Sequence, residues 1–209
     1  MSTIILLRHA HSHANKNGIL AGRMPGIRLS SIGKSESLKL VERLSDTEIN
    51  YIHSSPLERC IQTIDPYLNT LGKSNLQEFC LEDRIIEMDY GRWSGRKLSA
   101  LAREPLWREV QTNPSKVTFP EGESFKKMQK RSLAFVQELL SRKGNEKHLV
   151  ITHGDVIKVI TASLLGMKLD NFQKLVVDPA SFTVFKGNLE KHNMLAFNDT
   201  ESTLKSLIA

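Results

Sequence analysis

The sequence predicts an α/β fold: a three-layer α/β/α sandwich on a mainly parallel sheet, closed by a C-terminal antiparallel hairpin. Three observations predict it. Thr3-Ile4-Ile5-Leu6-Leu7 is a short apolar run of the kind that fills a parallel sheet covered on both faces, and Arg8-His9 follow without a spacer. A second copy lies downstream, where His148-Leu149-Val150-Ile151-Thr152 runs into His153-Gly154-Asp155. Around these strands, apolar runs alternate with helical patterns. Ligands of open α/β sheets bind beyond the carboxyl ends of the strands. Arg8, His9 and His153 are therefore expected at one rim of one sheet.

The remaining elements follow in order. Ala10 to Leu29 carries Gly18, Gly22, Pro25 and Gly26 and reads as a long loop over that rim. Ser30 or Ser31 caps a helix to about Leu44, with Ile32, Leu38, Val41 and Leu44 on one side. Ile49–His53 is a strand, and Pro56 is suited to the first turn of a helix that carries Arg59 and ends near Gly72. A third strand spans Leu76–Leu81, followed by an irregular acidic stretch from Glu82 to Gly95. A short helix covers Leu98–Arg103, and Pro105–Phe119 reads as a short connection. After Gly122-Glu123-Ser124, Phe125, Met128, Ser132, Phe135, Val136 and Leu139 recur with helical period up to Gly144. The helix Asp155–Leu165 is apolar nearly all round, which predicts burial. Phe182–Phe185 and Met194–Phe197 flank Gly187-Asn188, a pair that favours a tight hairpin turn.

The chain has 209 residues, which suits one domain spanning 1–209. Hydrophobic content of 40% and charged content of 25% are those of a globular protein. The net charge of +6 attracts anions. Its cations are scattered, and the densest patches, Lys126-Lys127 with Lys130-Arg131 and Arg142-Lys143, lie on a helix as a solvated face, which argues against nucleic acid. Cys60 and Cys80 form neither a disulfide framework nor a CxxC motif. No stretch approaches the ~20 apolar residues of a membrane span. The expectation is a cytoplasmic protein.

The strand-end residues suggest chemistry together. An arginine offers five donors in a fork that matches phosphate oxygens and stays charged. A histidine beside it can act as nucleophile or as acid–base group. Arg59 and Gly154 stand at predicted helix starts, where the dipole also favours an anion. Taken singly, each has a structural explanation; their repetition at one architectural position points to an anion site.

In its motifs the chain resembles the histidine phosphatase superfamily, in the phosphoglycerate mutase-like branch. The matches are Leu7-Arg8-His9-Ala10 with Asn15, Gly22-Arg23, Leu29-Ser30 with Gly33, and Ser54-Ser55-Pro56-Leu57-Glu58-Arg59. They continue with Glu87, Asp89-Tyr90-Gly91-Arg92-Trp93-Ser94-Gly95, Pro120-Glu121-Gly122-Glu123-Ser124, Thr152-His153-Gly154 and Asn198-Asp199-Thr200. The Gly91–Leu106 and Asp178–Ser181 stretches look like actinobacterial members described as phosphomutases. The resemblance implies a phosphoglycerate mutase-like fold and a metal-independent phosphatase without a cofactor. His9 would be the nucleophile that forms a phosphohistidine, with Arg8, Arg59 and His153 as clamps on the nonbridging oxygens. Glu87 would be general acid and then general base. Asn15, Ala21, Gly22, Arg23, Gly154 and Tyr90 would line the phosphate and substrate pocket. The implied partner is a small phosphorylated metabolite; homodimerisation stays open.

Three features depart from the family. Ala10 stands where glycine is usual, His11-Ser12-His13 stand where an acidic or polar residue is frequent, and Ala21 replaces a hydroxyl residue common in the mutases. Other readings remain. A phosphomutase would use the same phosphohistidine, with Arg103, Arg108 and Lys116 as the candidate extra clamps. His9, His11 and His13 alternate as metal ligands do in some hydrolases. A noncatalytic phosphate-binding protein would keep the pocket without turnover. For Glu87 the alternative role is a loop carboxylate paired with Arg84 or Arg92.

Overall fold

The computed structural model of the chain describes residues 1–71 and 78–209. Its strands are β1 (Ser2–Arg8), β2 (Tyr51–Ser54), β3 (Glu78–Leu81), β4 (Lys147–Thr152), β5 (Phe182–Gly187) and β6 (His192–Asp199). Its α-helices are α1 (His13–Lys16), α2 (Ser31–Ser45), α3 (Glu58–Leu68), α4 (Leu98–Leu101), α5 (Pro105–Thr112), α6 (Phe125–Ser141), α7 (Gly154–Leu164) and α8 (Leu204–Ile208). The sheet runs β3-β2-β4-β1-β5-β6. The pairs β3/β2, β2/β4 and β4/β1 are parallel, whereas β5 pairs antiparallel with β1 and with β6.

The period of two along β1 creates the layers. Ile4 and Leu6 face one apolar cluster with Phe135, Val136, Val156 and Ile160 of α6 and α7. Ile5 and Leu7 face the other with Leu40, Leu44, Ile64 and Leu204 of α2, α3 and α8. All four strand residues are fully buried. Because β1 and β4 are parallel with Arg8 opposite Thr152, their ends deliver His9 and His153 to the same rim.

Several expectations change. On α2 the residues Ile32 and Leu38 are 55% and 63% exposed, and the buried face is Gly33, Ser37, Leu40, Arg43 and Leu44. Polar anchors set that face. Ser37 Oγ donates to the carbonyls of Gln62 and Thr63 at 3.0 and 2.8 Å, and Arg43 Nη1 reaches the Ala180 carbonyl at 2.8 Å. At Gly33 a Cβ would fall 2.0 Å from the His11 carbonyl oxygen, so only glycine lets the helix approach the rim loop. Pro56 precedes α3, whose N-cap is Leu57. The predicted end of α3 near Gly72 and the start of the third strand at Leu76 lie outside the described residues. The loop from 10 to 29 holds α1, with Ser12 and Asn15 forming a capping box. The Pro105–Phe119 connection contains α5 and a 3₁₀ turn at Pro114–Lys116. The hairpin turn is four residues long: Asn188 N donates to the Lys191 carbonyl and Asn188 Oδ1 accepts from Glu190 and Lys191. Arg131 leaves the solvated face of α6 for the interior, where a buried carboxylate holds it.

Candidate active site

His9 follows the last residue of β1, and three hydrogen bonds fix its backbone. His9 N donates to the Thr152 carbonyl at 2.9 Å, Ala10 N donates to Thr63 Oγ1 at 2.9 Å, and Thr63 Oγ1 donates to the Arg59 carbonyl at 2.6 Å. The ring is 4% exposed. Nδ1 lies 2.8 Å from the Ala10 carbonyl oxygen. A carbonyl only accepts, so Nδ1 carries the proton and Nε2 keeps its lone pair. Burial, then the charges of Arg59 and Arg8, hold the imidazole well below the usual histidine range. The Ala10 methyl packs in the core beside α3 with no exposure, so the departure from glycine is absorbed there.

Two arginines flank this ring. Arg8 Nη1 donates to the Val177 carbonyl, and its Nε makes no hydrogen bond to any described residue although it is buried. Burial lowers the Arg8 pKa from its usual value, opposed by Glu87, Asp155 and Asp178. Arg59 Nη2 donates to the Gly22 carbonyl at 2.9 Å and to His153 Nδ1 at 3.2 Å, while its Nη1 is buried and unpartnered among the described residues. Orphaned buried cationic donors are costly, so their presence beside a cavity marks an anion site.

His153 has no exposure, and its ring centroid lies 5.3 Å from that of His9. Nδ1 accepts from Arg59, so Nε2 carries the proton and donates to Ser55 Oγ at 2.8 Å. Burial and Arg59 keep this ring neutral, so its 3.8 Å contact with Glu87 is polar rather than an ion pair. It braces Arg59 and stands against His9 and Glu87 as well. Cys60 Sγ lies 3.6 Å from His153 Nε2, with its thiol pushed up to about 12 by burial.

Glu87 is 12% exposed at the side chain, with Oε1 accepting from Met88 N at 2.8 Å. Burial first and Asp155 second raise its carboxyl to about 7, against the pull of Arg59 and Arg8. It pairs with neither Arg84 nor Arg92, which bind Glu82 with Glu138, and Glu121. Its loop is fixed from behind. Arg23 Nε and Arg131 Nη2 both donate to the Glu87 carbonyl, at 2.9 and 3.1 Å. Both arginines also bind Glu123 Oε1, at 2.8 and 2.6 Å, and the Glu123 side chain is 4% exposed.

Arg8, His9, Arg59 and Glu87 line one cavity of about 530 Å³ with Asn15, Ala21, Gly22, Tyr90 and Gly154. Asn15 Oδ1 is taken by Ser12, leaving its amide NH₂ as a donor. Gly22 has φ +52°, and a Cβ there would sit 2.8 Å from Ser94 Oγ. Of the expected pocket residues, Arg23 and His153 stand outside the lining; both support residues that form it. His11 turns to Ser30 Oγ at 2.8 Å and His13 is exposed, so the three alternating histidines do not converge. Among the described residues, no three His, Cys, Asp or Glu side chains are grouped as metal ligands. Asp155, Lys158, Gln173 and Asp178 also line the cavity, and the sequence pattern did not single them out. The placement of Lys158 three residues after Asp155, on the first turns of α7, was the available signal.

The arrangement can hold a tetrahedral dianion between two fixed guanidiniums, with an imidazole lone pair on one side and a protonated carboxyl beside it. A phosphoserine phosphatase of Hydrogenobacter thermophilus is 34% identical over 203 residues, covering 96% of this chain and 93% of the relative. A probable phosphoglycerate mutase of Erwinia tasmaniensis is 25% identical, covering 84% and 80%. In fold, the chain is similar to a mutant phosphoserine phosphatase from Entamoeba histolytica solved with phosphoserine, with a TM-score of 0.84 at 21% identity over 96% of this chain and 98% of that one. The family model of the histidine phosphatase superfamily (branch 1) matches residues 4–200, and the chain belongs to that superfamily.

Proposed function

We propose that this chain is a phosphatase that hydrolyses a small phosphomonoester through a phosphohistidine on His9, with phosphoserine as the first substrate to test. The observation that carries the reading is the His9 tautomer, Nδ1 on the Ala10 carbonyl, set against the unpartnered nitrogens of Arg8 and Arg59. His9 Nε2 attacks phosphorus, and the bond to the leaving oxygen breaks. Arg8 and Arg59 hold the nonbridging oxygens through the transition state, aided by Asn15 and the Gly22 region. Glu87, whose carboxyl is raised to about 7 and so keeps a protonated fraction at neutral pH, gives its proton to the departing alkoxide. The resulting carboxylate takes a proton from water, which attacks the phosphohistidine and frees inorganic phosphate and His9. His153 acts through Arg59. The fixed guanidiniums supply the charge stabilisation, so no step calls on a metal or cofactor. The free state of both cysteines agrees with a cytoplasmic location.

A mutase would reuse the phosphohistidine, and the Erwinia relative keeps that reading in view. Against it, Arg103, Arg108 and Lys116 are exposed and do not line the cavity. Incubation with labelled phosphoserine, acid-free quenching and mapping of the label tests the proposal. An acid-labile phosphohistidine at His9 and release of inorganic phosphate are expected. Isomerisation of 3-phosphoglycerate dependent on 2,3-bisphosphoglycerate, without net hydrolysis, would establish the mutase instead.

A further inference from the structure

Beyond the phosphate end, the cavity wall carries both signs of charge in one place. Lys158 lies on α7 with its side chain 19% exposed, and Asp155 one turn earlier is 20% exposed. Lys158 Nζ stands 3.4 Å from Asp155 Oδ1 and 3.2 Å from Gln173 Oε1. Asp155 Oδ2 accepts from the Tyr90 hydroxyl at 2.7 Å. On an open helix surface such a pair is ordinary. Here it is mostly buried and braced from two other segments, so much of the entropy of ordering it is already lost before a ligand arrives.

The donor and acceptor inventory leaves room for a ligand. An ammonium has three N–H groups, of which two face the protein; a carboxylate accepts at about four positions, of which two are used. With Arg8 and Arg59 engaged by phosphate, Lys158 is the remaining lysine or arginine on the lining among the described residues. Asp178 adds a second carboxylate to the wall, fixed by Asn198 Nδ2 at 2.7 Å. A leaving group with only negative charge meets both carboxylates as well as the lysine. A neutral polyol uses neither sign. A zwitterion places its carboxylate on Lys158 and its ammonium against Asp155.

We propose that Lys158 and Asp155 form a head-group subsite that selects a leaving alcohol bearing an α-amino acid zwitterion. This rests on the phosphatase reading above and adds the residues that choose the substrate. Gln173 and Tyr90 position the pair.

The test compares kcat/KM for three substrates that differ only at this end. O-phosphoserine has both charges, phosphoethanolamine lacks the carboxylate, and 3-phosphoglycerate has a hydroxyl in place of the ammonium. The wild-type chain is expected to favour O-phosphoserine over each of the others by about tenfold or more, the size of one lost charge-assisted hydrogen bond. Lys158→Met should lower the phosphoserine-to-phosphoethanolamine ratio about tenfold, mostly through KM, with Lys158→Arg restoring part of it. Equal use of phosphoserine and phosphoethanolamine by the wild type overturns the subsite, even if no variant folds. So does a Lys158→Met variant that loses both in proportion. Failure of the wild type to turn over p-nitrophenyl phosphate defeats the underlying phosphatase reading instead.

Discussion

His9 and His153 stand just past the ends of β1 and β4, while His53 and His148 lie together further back on β2 and β4. Both pairs are buried, and burial is the first cause of a lowered pKa in all four rings. Their neighbours differ. His53 Nδ1 faces Cys80 Sγ at 3.0 Å and Nε2 faces His148 Nδ1 at 3.3 Å, with the Tyr51 ring stacked 5.0 Å from His148. The remaining nitrogen of that cluster, His148 Nε2, stands 3.3 Å from the Glu146 carboxylate, and among the described residues the cluster holds no cationic donor. At the rim, His9 instead lines an open cavity, and beside the pair stand two arginines whose buried nitrogens Arg8 Nε and Arg59 Nη1 have no partner among the described residues. A depressed histidine pKa thus reports desolvation; cationic donors awaiting an acceptor report a site.

The largest expected effect separates the pairs by activity. His9→Ala should lower kcat by at least about a thousandfold, with thermal unfolding little changed, because the nucleophile itself is removed. Comparable activity in His9→Ala and wild type would erase the distinction drawn between the pairs. Next comes Arg59→Met, expected to reduce kcat/KM by roughly a hundred- to a thousandfold through loss of transition-state charge stabilisation. A change confined to KM would assign Arg59 to ground-state binding alone.

A smaller effect is expected in the pH profile. Because Glu87 must be protonated to serve as acid, kcat/KM for an alkyl phosphate should fall as pH rises above about 7. An aryl phosphate, whose leaving group needs no proton, should show a flatter limb. Matching limbs for both esters would argue against Glu87 as the proton donor. The smallest effect concerns stability at the second pair. His53 and His148, lowered to about 4 and about 3, stay neutral in the fold while the unfolded chain binds protons below about 6.5. Their contribution is therefore intact above about pH 6.5 and is lost as the pH falls toward 4. Urea midpoints should drop over that window, and His53→Asn should flatten the drop while costing about 1–3 kcal/mol at neutral pH. An unchanged slope in the variant would remove His53 from the linkage.

The sheet and the proposed phosphate end were legible in the sequence because both are local. A buried parallel strand needs a continuous apolar run, and Arg8-His9 and His153 sit next to such runs. Helices α6 and α7 were legible for the same reason: the positions that recur with helical period in α6 are buried, as are Val156, Ile157, Val159, Ile160 and Ala162 of α7. The face of α2 was not, because Ser37 and Arg43 are buried by partners that come from α3 and from residues 180–202. The same limit hid Arg131, which reads as a surface cation on α6 until Glu123 and the Glu87 loop are brought beside it. Arg23 was placed at the pocket by its motif, yet its partners are Glu123 and the Glu87 backbone. The leaving-group wall was least legible. Its charged part draws on α7 and residues 173–178, and its apolar part on Trp93, Trp107 and Phe119, segments joined only by the fold.

The Glu123 network has a consequence for turnover. The general acid of this scheme must be neutral, then charged, then neutral again in each cycle, and a carboxylate that anchors its own loop would loosen it at every neutral stage. Here the Glu87 carboxyl takes the Met88 amide, but the charged anchor is a different carboxylate: Arg23 and Arg131 grip the main chain of Glu87 and take their countercharge from Glu123. The frame therefore keeps its charge balance while the side chain it carries gains and loses a proton, and the loop's ionic anchor does not change with the protonation of the group it carries.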